Sequence, residues 1–431
     1  LFDWLRVLYS DLRYQISMDG LLSTEFSSMI GVLTGDSASP DLWNAFMSDF
    51  RPPPDADDVV LGGVPIGALV QADDVALPSL SPRGLQGKMN YMWDYSAVKF
   101  LVINMTKTLA MIQGAIPRGL APFTLNGVPV SFTNEYSYVG MTFVSDAMNI
   151  FARHYARKEK SARSIANVTF SVESFVGTLP PFQGKRLFNA RVDPHLTAGC
   201  EVALDIDMRL LAPLQKVQHT FLQRLIGLNP KAMRAFCFSE TGVLPLAYRR
   251  IILAVRYLQY VLSRPADHLV ACALRECELM YSQGAPNWLG DLGVVINRMP
   301  AYWTRPLWSP LGLDAESVTL LIADITLAAK SHVQNAIDES SKGALLHGRL
   351  HTDENGGAVA EPVAFRLYLS LTNPGHRRAL AGLLLADSPL ADAQLRYADG
   401  RGRRKKIPHE WRLCRFCMTD VEDTLHALFV C

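Results

Sequence analysis

The sequence has no uninterrupted apolar run of eighteen residues or more, so nothing in it reads as a membrane-spanning helix. It also lacks an initiator methionine and a basic-then-apolar leader; it starts Leu1-Phe2-Asp3-Trp4, from which we expect a fragment beginning inside a larger protein. An excess of charge of one sign is missing too. Lys and Arg number 42 against 41 Asp and Glu, so no global field steers the chain to nucleic acid or membrane, and such affinity has to come from local patches. Cysteines are few and odd in number, seven. Cys200, Cys237, Cys272 and Cys277 are scattered through apolar, helix-like surroundings as buried thiols, which argues for an intracellular, reducing compartment and against a disulfide scaffold. There is no internal repeat and no low-complexity tract. What remains is 431 residues, 49% hydrophobic, enough for two or three domains with their own cores.

Periodicity divides the chain into a mixed part and a helical part. Leu1, Trp4, Leu5, Leu8 and Leu12 recur at helical spacing. Asp19-Gly20 and Asn126-Gly127 are hairpin turns between short strand-like runs. Ser39 and Pro40 read as the N-cap and first residue of a helix over 41–50. Val59–Leu61 and Ile66–Val70 read as two strands leading into Asp73-Asp74. From about 146 the pattern is helical, with Leu210, Leu211, Leu214, Val217, Phe221, Leu225 and Ile226 on one stripe ended by Gly227. Residues 284–310, rich in Pro and Trp, read as a connection. The expected class is α+β with an antiparallel sheet.

Two adjacent carboxylates at a strand turn repel each other unless a cation sits between them and a ligand. Asp73 and Asp74, in Gln71-Ala-Asp-Asp-Val75, are such a pair, although an exposed turn would carry the same residues. Three further blocks stand in order around them: Gly31-Val-Leu-Thr-Gly35-Asp-Ser-Ala-Ser39-Pro40, Asn104-Met-Thr-Lys107-Thr108, and Tyr138-Val-Gly140. Their separations are 42 residues (31 to 73), 34 (73 to 107) and 33 (107 to 140).

This constellation resembles the reverse transcriptases of non-LTR (LINE-type) retrotransposons, of the kind found in fungi. The blocks are similar to the family's glycine-rich block, its aromatic-x-Asp-Asp turn, its Asn-x-x-Lys block and its primer-grip hairpin. The resemblance implies a right-hand polymerase palm over 1–145, a helical thumb over 146–264, a helical connection over 265–395, and a basic linker with a zinc knuckle over 396–431. It implies an RNA-directed DNA polymerase acting on RNA template, DNA primer and deoxynucleoside triphosphates through two Mg²⁺ ions. Asp73 would be the direct Mg²⁺ ligand with Asp74 beside it. Lys107 would neutralise or protonate the pyrophosphate, although a solvated surface lysine fits equally. Gly31, Gly35, Ser39, Pro40, Gln71, Tyr138 and Gly140 would lie against nucleotide, template or primer.

The chain departs from the family at Gln71, where an aromatic is usual, and at Thr34, where Gln is usual. A further metal-binding aspartate is expected upstream of Gly31, where the only candidates are Asp3, Asp11 and Asp19. None fits by position, so this chain alone is expected not to polymerise. The competing reading is a decayed polymerase that survives as a nucleic-acid-binding zinc-knuckle protein.

Residues 146–164 form a basic segment in which Arg153, Arg157, Lys158, Lys160 and Arg163 are offset by Glu159. This reads as a grip on the nucleic-acid backbone or as a solvated helix face. Arg403, Arg404, Lys405 and Lys406 form a second basic run, a backbone grip or a nuclear address. It precedes Cys414-x2-Cys417-x8-His426-x4-Cys431, whose spacing suits structural Zn²⁺. Trp411 and Phe416 are placed to stack on unpaired bases, with Arg412 and Arg415 nearby. The stretch 165–395 carries no catalytic constellation. Asp205 and Asp207 mark a helix start, and the His347/His351 spacing falls in a loop. Ser239-Glu240-Thr241-Gly242 resembles the segment that follows the thumb in the family. The oligomeric state is not legible.

Overall fold

The computed structural model describes residues 2–27, 31–33, 35–299, 309–352, 356–398 and 405–431. It falls into two units, one of Leu1–Val60, Pro65–Ala110 and Ile116–Phe132, the other of Leu61–Val64, Met111–Ala115 and Thr133–Cys431.

The first unit begins with α1 (Phe2–Ser10) and four two-residue strands, β1 (Arg13–Tyr14), β2 (Ser17–Met18), β3 (Leu21–Leu22) and β4 (Phe26–Ser27). Asp19 and Gly20 take φ of 52° and 80°, so Met18 pairs with Leu21 as the Asp-Gly signal predicts. Next come α2 (Ser39–Phe46), the short strands β5 (Val59–Leu61), β6 (Val64–Ile66), β7 (Leu69–Gln71) and β8 (Asp74–Ala76), then α3 (Pro82–Val98). Ser81 caps α3 by accepting from the Gly84 amide at 3.0 Å, and Pro82 occupies its first turn. After β9 (Leu109–Ala110), the hairpin β10 (Thr124–Leu125) and β11 (Val128–Pro129) turns at Asn126-Gly127, and β12 (Ser131–Phe132) pairs with β9 in parallel. Gln86 on α3 bonds both backbone groups of Thr124, at 2.8 and 3.0 Å, fastening this hairpin to the helix.

The antiparallel sheet expected here is a set of separate two-stranded ladders among the described residues. The strands run two to four residues, and Pro65 and Pro129 remove ladder donors inside β6 and β11. Burial comes from α3 instead. Met89 packs with Ala110, Phe123, Leu125 and Val130, and Tyr95 packs with Met47 and Phe50. Lys88 and Asp58 form an ion pair at 2.6 Å with side chains 3% and 2% exposed, and Lys88 also donates to the Ile66 and Pro78 carbonyls.

The second unit is mainly helical. The hairpin β13 (Glu135–Tyr138) and β14 (Met141–Val144) leads into α4 (Ala152–Ser171). Then follow α5 (Glu173–Val176), α6 (Pro181–Leu187), α7 (Asp193–Thr197), α8 (Met208–Ile226), α9 (Arg234–Thr241), α10 (Leu246–Leu262) and α11 (Leu269–Ser282). Next are α12 (Trp288–Asn297), α13 (Ala315–Asp338), the strand pair β15 (His351–Thr352) and β16 (Ala358–Val359), α14 (Pro374–Leu384) and α15 (Ala391–Leu395).

The stripe on α8 is buried as its spacing requires, with Leu211, Leu214 and Phe221 in one core beside Phe170 and Phe188. Gly227, at φ 86°, ends the helix in the left-handed region. A second core joins α10, α12 and α13 through Val255, Leu292 and Ile325. The connection expected at 284–310 is therefore a helix in its first half. Asn287 caps it at 2.9 Å, and Leu289, Leu292 and Ile296 are buried. Asp207 caps α8, while Asp205 is buried against Arg250 at 2.8 Å; Arg250 also bonds Leu196 O, Ala203 O and the Tyr155 hydroxyl. His347 follows a single turn of 3₁₀ helix, as a loop residue would.

Candidate catalytic turn and metal centre

Gln71 pairs with Asp74, leaving Ala72 and Asp73 as a two-residue turn between β7 and β8. Ala72 carries φ of 52°, a left-handed value that costs an alanine conformational energy. Asp73 and Asp74 are both exposed at this tip. The turn is held from behind, where the Trp43 indole N–H donates to the Ala72 carbonyl at 2.6 Å. Trp43 lies on α2, the helix that starts at Ser39-Pro40. The glycine-rich block and the acidic turn are thus physically joined, a link that spacing alone did not reveal.

Within the glycine-rich block, Gly31 and Gly35 have φ of 102° and 87°, and among the described residues a Cβ at either would meet nothing within 4 Å. Backbone conformation, not close packing, requires glycine there. Thr34 lies outside the described residues. Ser39 is not the N-cap: Ala38 holds that position, and the buried Ser39 hydroxyl donates to Leu33 O at 2.6 Å, closing the loop. Pro40 sits in the first turn as expected. Gln71 and Pro40 are exposed.

Asn104-Met-Thr-Lys107 is an Asx turn. Asn104 Oδ1 accepts from Thr106 N, Thr106 Oγ1 and Lys107 N at 3.1, 2.7 and 3.2 Å, and Lys107 is exposed at its end. Asparagine at the first position is thus a local structural need. In the second unit Tyr138 pairs with Met141 across Val139-Gly140, at φ 47° and 77°. Both turn residues are left-handed, the geometry of a tight hairpin, although Val139 is β-branched and ill suited to it.

The basic helix α4 is less free than its sequence implied. Arg153 binds Glu135 at 2.9 Å and Asp146 at 3.2 Å, Arg157 binds Glu135 and Ser137, and Arg163 binds Glu159. Lys158 is half-buried and Lys160 exposed. Glu135 escapes a reading of the sequence because it lies on β13, outside the helix, while Asp146 stands at the start of the basic segment, ahead of the helix that begins at Ala152. His154 on the same helix is buried and held neutral. Its Nε2 meets Ala198 O at 3.0 Å, its Nδ1 accepts from Thr142 N at 3.3 Å, and burial pushes its pKa down.

The C-terminal cluster is the one group of three or more potential metal ligands that converges among the described residues. The ligand atoms of Cys414, Cys417, His426 and Cys431 lie within 4.8 Å of one another. An isolated bridge between Leu413 and Val421 brings the two arms of the turn together, and Met418 N donating to Cys414 O at 2.9 Å closes the Cys-x-x-Cys turn. His426 and Cys431 lie at the two ends of the last helical segment. Amides of Cys417 and Phe416 directed at Cys414 hold that thiol below its usual range, and the Thr419 hydroxyl and amide pull Cys417 down to about 6. Three sulfurs and one imidazole suit Zn²⁺ in a closed, structural shell, so this cluster can hold zinc.

The knuckle is clamped to the helices. Buried Arg412 binds Asp392 at 2.7 Å, Arg415 binds Glu422 at 2.7 Å, and Glu422 accepts from Ala391 N at 2.7 Å. Arg412 and Arg415, the two arginines near the aromatic pair, are both engaged in ion pairs. Trp411 and Phe416 remain 73% and 81% exposed, and Lys405 and Lys406 are exposed. Arg403 and Arg404 lie outside the described residues. No described helix is long and apolar enough to cross a membrane. No family model matches the chain, and no curated protein matches it either.

Proposed function

We propose that this chain is part of an RNA-directed DNA polymerase of the LINE type, with the Asp73-Asp74 turn as its Mg²⁺-binding element. The reading is carried by one observation: an exposed acidic hairpin tip anchored through Trp43 to the helix that begins at the glycine-rich block. In this reading Asp73, with Asp74 beside it, would hold a Mg²⁺ ion, which would supply charge neutralisation to the triphosphate. Lys107, presented by the Asn104 turn, faces the phosphates, and the Tyr138–Gly140 hairpin presses on the primer. The order of four blocks supports it. Because no aspartate upstream of Gly31 fits the position of the further metal ligand, we expect the chain to bind Mn²⁺ or Mg²⁺ weakly and not to extend a primer by itself. Mn²⁺ titration followed by electron paramagnetic resonance tests this. The signal of free Mn²⁺ should fall on adding protein and recover in an Asp73→Asn/Asp74→Asn variant; equal binding by both proteins removes the assignment.

A second reading, a nucleic-acid-binding remnant, is favoured by the exposed Trp411 and Phe416 beside the zinc cluster. Here RNA or single-stranded DNA would bind without Mg²⁺ and independently of Asp73 and Asp74. Fluorescence anisotropy with and without the double asparagine variant separates the two. The basic run at 401–406 would serve as a backbone grip or a nuclear address in either case.

A further inference from the structure

The turn after α8 and the turn after α14 border a cavity of about 370 Å³, with the end of α15 as a third wall. That volume suits a small ligand. Its polar lining comes from Asn229, Lys231, Lys342, Asp387, Gln394 and Tyr397. Ala386 opens the α14 turn at φ 51°, where glycine would sit with less strain. That turn places Asp387, whose Oδ2 accepts from Asn229 N at 2.7 Å and whose Oδ1 accepts from the Asn229 side-chain amide. Asn229 Oδ1 accepts from Lys231 N at 2.7 Å. The one carboxylate of the lining is therefore engaged by amides, and the same chain of bonds fixes the backbone of Lys231.

Two cations share what is left. The Lys231 ammonium lies 4.7 Å from the Tyr397 ring centroid and the Lys342 ammonium 5.1 Å from the same point. Lys342 also donates to the Tyr397 hydroxyl. A ring face attracts a cation by only about 0.5–1 kcal/mol at an exposed site, and a second cation on the same ring adds repulsion. Neither lysine has an ion-pair partner among the described residues. Each ammonium carries three donors, so most of the six are unmet by protein. Lys231 is exposed and Lys342 half-buried, which leaves those donors within reach of an occupant.

We propose that this cavity binds a phosphoryl dianion, inorganic phosphate or the terminal phosphate of a nucleotide, between Lys231 and Lys342. Lysine ammoniums meet phosphate as point charges, and two of them match a doubly charged group better than a single one. The inference does not rest on the polymerase reading, which uses none of these residues.

The test is acetylation of the whole chain by N-hydroxysuccinimidyl acetate, read lysine by lysine by mass spectrometry. At about pH 8 a phosphate monoester is close to doubly charged. At saturation, inorganic phosphate or thymidine 5′-phosphate should slow acetylation of Lys231 and Lys342 about fivefold, with one shared half-point. Exposed Lys216 on α8 should be unaffected. Tighter protection by the nucleotide would identify it as the source, and equal protection would identify free phosphate. In Lys342→Met the protection of Lys231 should vanish, and in Lys231→Met that of Lys342. Equal protection by chloride at matched ionic strength overturns the proposal. So does protection by oligothymidylate without terminal phosphates when neither small phosphate protects, or protection of one lysine that survives loss of the other. If a variant does not fold, the chloride comparison on the unaltered chain decides.

Discussion

Val139 occupies a left-handed turn position that asparagine or glycine would fill with less strain. Val139→Asn should therefore raise the stability of the helical unit by about 1 kcal/mol, read as a higher urea midpoint. Gly140→Val should lower it. The buried pair Arg250–Asp205 makes the opposite case, because each partner depends on the other. Arg250→Met should cost roughly 3–5 kcal/mol by leaving a buried carboxylate uncompensated, and adding Asp205→Leu should recover part of that loss. A double variant whose loss equals the sum of the two single losses would show that the pair is not coupled. At this scale sequence is a poor guide. Asp205 looks like half of an acidic couplet with Asp207, and its partner lies 45 residues away on α10.

Whole elements are more legible, for a physical reason: they are written in local chemistry. Asp19-Gly20 and Asn126-Gly127 accept the positive φ their turns demand, and the α8 stripe repeats at the helical period. Phe221→Ala on that stripe should cost about 3–5 kcal/mol, since the ring packs against Phe170 and Phe188. Element reading fails where a tertiary contact decides. Ser39 has the chemistry of a cap but bonds backward to Leu33, and α12 hides inside a segment whose Pro and Trp content suggests a loop. The free charge of α4 is overcounted from sequence because Glu135 reaches it from a separate hairpin. That error yields a prediction. If α4 lies on nucleic acid, Glu135→Gln should release Arg157, leave Arg153 held by Asp146 alone, and steepen the salt dependence of binding by roughly 0.7–0.9 for each phosphate newly engaged. An unchanged slope would place nucleic acid elsewhere.

For the molecule as a whole, the two units should respond to acid in different windows. His154 in the helical unit has a pKa depressed by burial, so its contribution to stability is full above about 6.5 and is lost as pH falls through the lower folded value. Asp58 in the first unit is held low chiefly by the Lys88 hydrogen bond. Its contribution persists above about 3.9 and is lost only as pH falls below that, through its own folded value. Urea midpoints measured from pH 7.5 to 3 should decline first in the helical unit, and His154→Gln should flatten that early decline. Zinc removal should act at the C-terminus. Chelation, or Cys417→Ser, should loosen 407–431 and raise amide exchange at Ala391 and Asp392, whose amides donate to Glu422 of the knuckle. Unaltered protection there would separate the metal from the clamp.

The indole of Trp43 touches the backbone carbonyl one residue before Asp73. With the other six tryptophans replaced by phenylalanine, its emission becomes an internal lamp beside the acidic tip. A paramagnetic ion arriving there would dim it, so occupancy could be followed without substrate, product or turnover.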